Sequence, residues 1–448
     1  MTGAHRPANA YLAELITEAA ISHASLARQV NQLGRQPEHG GLDLRYDSSS
    51  VNRWLRGALP TPPVPVLIAA VLSRRLSRPI DPAHLAGGGD FLALPGDADA
   101  AVAAATGLWH QAAHRRAALR YPFVPHAGPE VGWQWAFGTA DTAVIGRGSR
   151  RVGMSDVHRL HAARDDFADL DRRHGGGYAR AWLTDYLDRE VTPLLHGRYR
   201  DAVGTALFSA AAILTETVSY MAFDDGEHGL AQRLSIQSLA LAKHAGDTAF
   251  GAYVMSNMAA QLVFLGNGRT AAQMARAAAS STRPPSGPLL ARIHTTEARG
   301  HALAGDARAC RNALACAEEA MNIPGEPAPG WLGASSPAHQ AGSAMHCLHD
   351  LGLHAQAERH STAALDLPHD SVRARALHQI LLARVHLGLR DVDRSCHTAR
   401  PALHAAVQLS SRRLRERLRE YAAALRPHRD HPAVQAWRAE ARDLLAVA

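Results

Sequence analysis

The chain has 448 residues, 46% hydrophobic but only 5% aromatic, with 20% charged, a balance that excludes a disordered chain and leaves room for two to four domains. Lys243 is the single lysine among 48 basic residues against 41 acidic ones, a formal charge of +7 with an uneven spread. Residues 1–80 carry nine Arg and five acids (+4), residues 373–448 fifteen and seven (+8), so the middle is 7 − 12 = −5. Cys310, Cys316, Cys347 and Cys396 have no CxxC spacing and read as free thiols in a reducing compartment. No charged stretch leads into an apolar run at the N-terminus, and the expectation is a cytoplasmic protein without a membrane segment.

Helical periodicity dominates and alternating β-branched runs are nearly absent, so the predicted fold class is all-α. Gly/Pro clusters divide the chain into an N-terminal unit at 1–86, a linker with a short helix and an irregular stretch at 87–154, and a repeat domain at 155–448. In the first unit, Leu12, Leu15, Ile16 and Ala19 share one helix face, and a second helix opens near Ser25, which reads as its cap. A third helix covers Ser48 to Gly57, with Val51, Trp54 and Leu55 on one side and Ser49, Asn52, Arg53 and Arg56 on the other. That split suits a helix docked on its own domain and reading DNA in the major groove. Arg53 would pair with guanine, Asn52 with adenine, Ser49 or Ser50 with phosphate, and Arg28 of the preceding helix with phosphate. An ordinary amphipathic helix with a solvated outer face gives the same periodicity.

The strings SLARQVNQLG, LDLRYDSSSVNRWLRG, PVLIAAVLSRRL, VHRLHAARDDFADLDRRHGGGYAR and HGLAQRLSIQSLALAKHAGD resemble actinobacterial transcriptional regulators that join an N-terminal helix-turn-helix to tetratricopeptide-like repeats. The resemblance implies a cytoplasmic DNA-binding regulator. One departure is plain: about fourteen residues, Gly34 to Asp47, stand where a three- or four-residue turn is usual.

Beyond residue 155 helices end at Gly226, Gly266, Gly305, Gly352 and Gly388, at steps of 40, 39, 47 and 36, each long enough for a helix pair of an α-solenoid. Nine residues before these glycines stand Thr217, Asn257, Thr296, Ser343 and Gln379, and one turn earlier Ile213, Tyr253, Arg292, His339 and Arg375. From the second repeat on, these rows, Tyr253, Asn257, Arg292, Thr296, His339, Ser343, Arg375 and Gln379, predict a polar stripe that binds a peptide or small acidic effector. A wet concave face without a ligand is the plainer explanation.

His158 with His161 and His346 with His349 have helical spacing but no convincing third ligand, and no metal or cofactor is expected. HExxH, GxSxG and GxxxxGK[ST] are missing, so no catalytic residue is assigned. SRRLRERLRE near the C-terminus reads as a terminal capping helix. The expected protein is a homodimeric regulator reading a palindrome in double-stranded DNA. The alternative is an interaction scaffold whose N-terminal bundle does not bind specific DNA.

Overall fold

The computed structural model describes residues 10–37, 41–55, 63–78, 80, 82–85, 91–114, 121–138, 144–282, 286–323, 329–332 and 337–446. Among them the chain is almost wholly α-helical, as the periodicity predicts, with one two-residue antiparallel strand pair, β1 (Gly146–Arg147) against β2 (Arg198–Tyr199). Two compact units emerge, Met1–Phe91 with His110–Pro122, and Leu92–Trp109 with Phe123–Ala448.

The first unit contains α1 (Ala10–Glu18), α2 (His23–Gly34), α3 (Ser48–Leu55), α4 (Val64–Leu76) and α5 (Pro82–Leu85). Its core is built by the apolar stripes of these helices: Leu12, Leu15 and Ile16, then Leu26 and Val30, Val51 and Trp54, and Leu67, Ile68 and Leu72. The cap of α2 is Ser22 rather than Ser25, because the Ser22 Oγ accepts from the Ser25 amide at 3.2 Å, so the helix begins earlier than expected. The segment just before α3 is pinned at Leu44 and Tyr46. Asn31 donates to the Tyr46 carbonyl at 2.8 Å and accepts from its amide at 3.0 Å, while Leu44 and Tyr46 pack against the core. Tyr46 meets Trp54 edge-on at 5.1 Å, so the inserted loop itself supports α3.

After α5 the chain continues with α6 (Ala98–His114) and α7 (Ala127–Phe137). The second unit continues with α8 (Met154–His174), α9 (Gly176–Tyr186), a π-helical turn at Leu187–Val191, α10 (Thr192–Leu195) and α11 (Asp201–Asp224). By length and composition α11 passes for a membrane span, yet 78% of its apolar window is buried within the chain. It packs against α8, α9 and α12 (His228–His244). Each following helix packs on its neighbour: α13 (Thr248–Phe264), α14 (Gly268–Ser281), α15 (Gly287–Leu303) and α16 (Ala307–Met321). Next come α17 (Pro337–Asp350), the short α18 (His354–Glu358) and α19 (Ser361–Leu365), α20 (Val372–Gly388) and α21 (Val392–Gln408). Lys243 donates at 2.6 Å to the Gln134 carbonyl near the end of α7, so the single lysine serves as a helix C-terminal partner.

The turns after α11, α13, α15 and α17 place Gly226, Gly266, Gly305 and Gly352 at positive φ, where a side chain is strained. After α20 this role passes to Arg390, with φ +63°, while Gly388 still belongs to the helix. The turn after α20 is therefore out of register by two residues in the glycine alignment.

The C-terminal region corrects another expectation. SRRLRERLRE forms α22 (Arg412–Ala424), which is not terminal: α23 (Pro432–Glu440) and α24 (Arg442–Ala446) follow, with Val434 and Trp437 buried in the same core as Leu414, Leu418 and Tyr421. Within this unit the later helices return to the earlier ones. Arg373 on α20 makes two bonds to Asp171 on α8, at 3.0 and 2.6 Å, and one to Asp224 on α11 at 2.8 Å. Ser411 donates to Asp224 at 2.9 Å, and the Ser410 amide to the His174 carbonyl at 2.7 Å. The helical array closes on itself through these contacts.

Candidate functional site

Two sites emerge, one in each unit. In the first, the backbone enters α3 through Asp47, whose carboxylate accepts from the Ser49 hydroxyl at 2.7 Å, the Ser50 amide at 2.9 Å and the Ser50 hydroxyl at 2.9 Å. These bonds, that of the Ser49 hydroxyl foremost, lower the Asp47 carboxyl to about 2. Ser50 is only 4% exposed and is engaged in this cap. Ser49 is exposed but also donates to Asp47, so both serines serve the helix start and Asp47 occupies the place proposed for phosphate. The outward phase of α3 is otherwise as its periodicity predicts: Val51 and Trp54 are buried, Asn52 is half-buried, and Arg53 is exposed with a 3.3 Å bond to the Ser50 hydroxyl. Arg28 is exposed on α2. Arg56 and Gly57 lie outside the described residues.

The second site is an open-sided cavity of about 930 Å3 lined by residues of α8, α11, α13, α15, α17, α20 and α22. Eight arginines line it against three aspartates, Asp165, Asp169 and Asp370. Most of the arginines are committed. Arg164 pairs with Asp165 at 2.7 Å and donates to the Gly330 carbonyl at 3.0 Å, and Arg172 pairs with Asp370 at 2.8 Å and with Asp169. Arg413 stands 3.1 Å from Asp224, and Arg417 pairs with Glu420 at 2.6 Å while lying 4.0 Å over the Phe264 ring. Burial alone would raise the Asp224 carboxyl, but Arg373 and Arg413 outweigh it and hold it below the usual carboxylate range.

The histidines contribute no charge near neutral pH. Burial lowers His339 to about 4, aided by His378 and Arg292, and holds His346 well below its ordinary value, aided by Arg299 and Arg417. Gly342 lets α17 approach α20 closely, since a Cβ there would lie 2.4 Å from the His378 ring. A chain of hydrogen bonds runs into the wall: Ser235 to Glu216 at 2.9 Å, Asn257 to Glu216 at 2.9 Å, and Arg292 to Asn257 at 2.7 Å. Burial pushes the Glu216 carboxyl up to about 7 despite the bonds from Asn257 and Ser235.

Of the predicted effector residues, Asn257, Arg292, Thr296, His339 and Ser343 meet in this cavity. Tyr253, Arg375 and Gln379 are not among its lining residues. Tyr253 sits under Arg292, 5.2 Å from its guanidinium carbon, and beside Trp331 at 5.1 Å. Arg375 is turned to the loop after α19, donating to the carbonyls of Leu365, Leu367 and Pro368. The register shift explains the miss at α20. Counted from Arg390, the two predicted rows fall on Leu381 and Leu377, and both line the cavity.

A family model of the SP15 N-terminal domain matches residues 12–86, the segment that carries α3. No curated protein and no solved structure matches the chain.

One whole row of the cavity escaped the sequence reading. Six residues before each turn stand Tyr220, Ala260, Arg299, His346 and Arg384, and all of them line the cavity. This row lies one helical turn beyond the polar stripe, on the same face. Ala260 and Tyr220 break its polar character, which is why a search for uniformly polar rows passes over it. Arg413 and Arg417, read as the outer face of a cap, point into the cavity from α22.

Proposed function

We propose that the protein is a cytoplasmic, DNA-binding transcriptional regulator. In this reading the first unit is a helix-turn-helix variant that lays α3 in the major groove of double-stranded DNA, and the second is a solenoid of tetratricopeptide-like helix pairs that binds an acidic effector. The supporting observation is the phase of α3: Val51 and Trp54 anchor it in the core while Asn52 and Arg53 stay on the outer side. Arg53 reads guanine, Asn52 adenine, and Arg28 contacts phosphate. A homodimer presents two such helices to a palindrome. Asp47 favours the second reading, an interaction scaffold without specific DNA binding, because its carboxylate stands at the α3 N-terminus, where phosphate would otherwise be received.

The test is selection of duplexes from a random pool by the full chain, followed by anisotropy titration of the selected and a scrambled duplex at two salt concentrations. A selected sequence whose affinity falls steeply with salt, yet exceeds that of the scrambled duplex at both, supports the regulator. Equal affinities for the two duplexes support the scaffold.

A further inference from the structure

Among the described residues, two cavity arginines have no carboxylate partner. Arg292 and Arg299 both rise from α15, seven residues apart, which puts them on one helix face about 10 Å from each other along the axis. Arg292 has Asn257 and the Tyr253 ring for company, but its Nε is buried without a hydrogen-bond partner. The Arg299 Nε is buried in the same condition, and among the described residues no carboxylate lies within ion-pair distance of its guanidinium. Burial disfavours the Arg299 charge most, Cys347 and Asp350 favour it only through space, and Arg417 and Arg413 oppose it. Between the two arginines, Thr295 and Thr296 donate to the carbonyls of Ala291 and Arg292, so their hydroxyl protons are spent. Phe264, Leu377 and Leu381 supply apolar wall in the same cavity.

A buried guanidinium with an unmet donor is costly unless something meets it. Arg164 and Arg413 also have a buried Nε without a hydrogen-bond partner, but each stands beside a carboxylate, Asp165 and Asp224, and Arg384 has Glu420 loosely at 3.8 Å. Among the described residues the cavity arginines without a carboxylate partner are confined to one face of α15. The cavity volume is that of a small-molecule site. We propose that it takes a small molecule with an apolar body and two anionic groups, spaced by about two helical turns and received by Arg292 and Arg299. This rests on the reading of the second unit as an effector-binding domain, and it fixes the number and spacing of the effector's charges. Carboxylate and phosphate share this chemistry.

The experiment is calorimetric titration of the full chain at fixed ionic strength with three probes: nonanedioate, whose carboxylates stand about 10 Å apart when extended, the shorter pentanedioate, and the monoanion nonanoate. Nonanedioate should bind about tenfold more tightly than nonanoate, the worth of one further charge-assisted hydrogen bond, and more tightly than pentanedioate. Arg299→Met and Arg292→Met should each reduce nonanedioate to the affinity of nonanoate. Arg299→Met should also raise the thermal midpoint of the unliganded chain, by removing an unmatched buried charge. Arg299→Lys, which keeps that charge, should retain a preference for the diacid at lower affinity. Equal binding of diacid and monoacid, no binding of any probe, or a diacid affinity unchanged in Arg299→Met overturns the proposal. The DNA reading is tested separately. A diacid that binds with these preferences yet leaves affinity for the selected duplex unchanged supports the site and removes its regulatory role. A chain that binds the selected duplex but none of the probes retains DNA recognition and overturns the site.

Discussion

The two sites use arginine in opposite ways. On α3 Arg53 is exposed, with a long bond to Ser50, and the helix is held from behind by Trp54 and Tyr46. In the cavity the guanidinia are turned inward, and most of them hold the wall together: Arg373 joins α20 to α8 and α11, while Arg164 reaches the Gly330 carbonyl. Counting charge therefore locates neither site. Unmet Nε donors occur on Arg164 and Arg413 as well as on Arg292 and Arg299, so what sets the cavity arginines apart is the carboxylate. Arg164 has Asp165 and Arg413 has Asp224, whereas among the described residues Arg292 and Arg299 inside, like Arg53 at the surface, have no ion-pair partner.

The strongest way to break this contrast is at Arg373. Replacing it with Ala leaves Asp224, whose side chain is fully buried, with Arg413 as its remaining cation and should destabilise the second unit by about 3–5 kcal/mol in urea unfolding. A loss below about 1 kcal/mol, typical of exposed pairs, would mean that the closure carries little weight.

Glu216 sharpens the comparison through pH. Its folded carboxyl titrates near 7 and its unfolded one near 4.5, so the folded state holds the proton more tightly. Stability from this group is present below the unfolded value and declines as pH rises from about 4.5 through 7. Thermal midpoints from pH 5 to 8 should therefore fall more for the wild type than for Glu216→Gln, and parallel curves would remove Glu216 as the cause.

At the surface site the loop supporting α3 should matter more than its length suggests. Asn31→Ala removes both bonds to the Tyr46 backbone and should cost about 1–3 kcal/mol in stability of the first unit, read by urea unfolding. A neutral effect would show that Leu44 and Tyr46 hold the loop by packing alone. A smaller effect is expected for Asp47→Asn, which keeps the cap but removes the negative charge at the α3 start. Affinity for DNA should rise modestly and equally for selected and scrambled duplexes, and unchanged affinity would place phosphate elsewhere.

Much of this was legible in the chain, and the rest failed for definable reasons. The phase of α3 follows from Val51 and Trp54, because a buried face imposes its period locally. The repeat stripe found Asn257, Arg292, Thr296, His339 and Ser343, since glycine at positive φ marks four of the turns. It lost α20 because Arg390 takes that conformation without being glycine. The clamp by Asn31 leaves no periodic trace, since a side chain meets backbone fifteen residues away. Closure by Arg373 and Asp171 joins residues 202 apart, and nothing local distinguishes those two from any other Arg and Asp on a helix.

The most direct measurement compares wild type, Arg53→Ala and Arg28→Ala on the selected and scrambled duplexes at one salt concentration. Arg53→Ala should lose about 1–3 kcal/mol on the selected duplex and little on the scrambled one, whereas Arg28→Ala should weaken both alike. Equal losses on the two duplexes for Arg53→Ala would contradict base reading by α3.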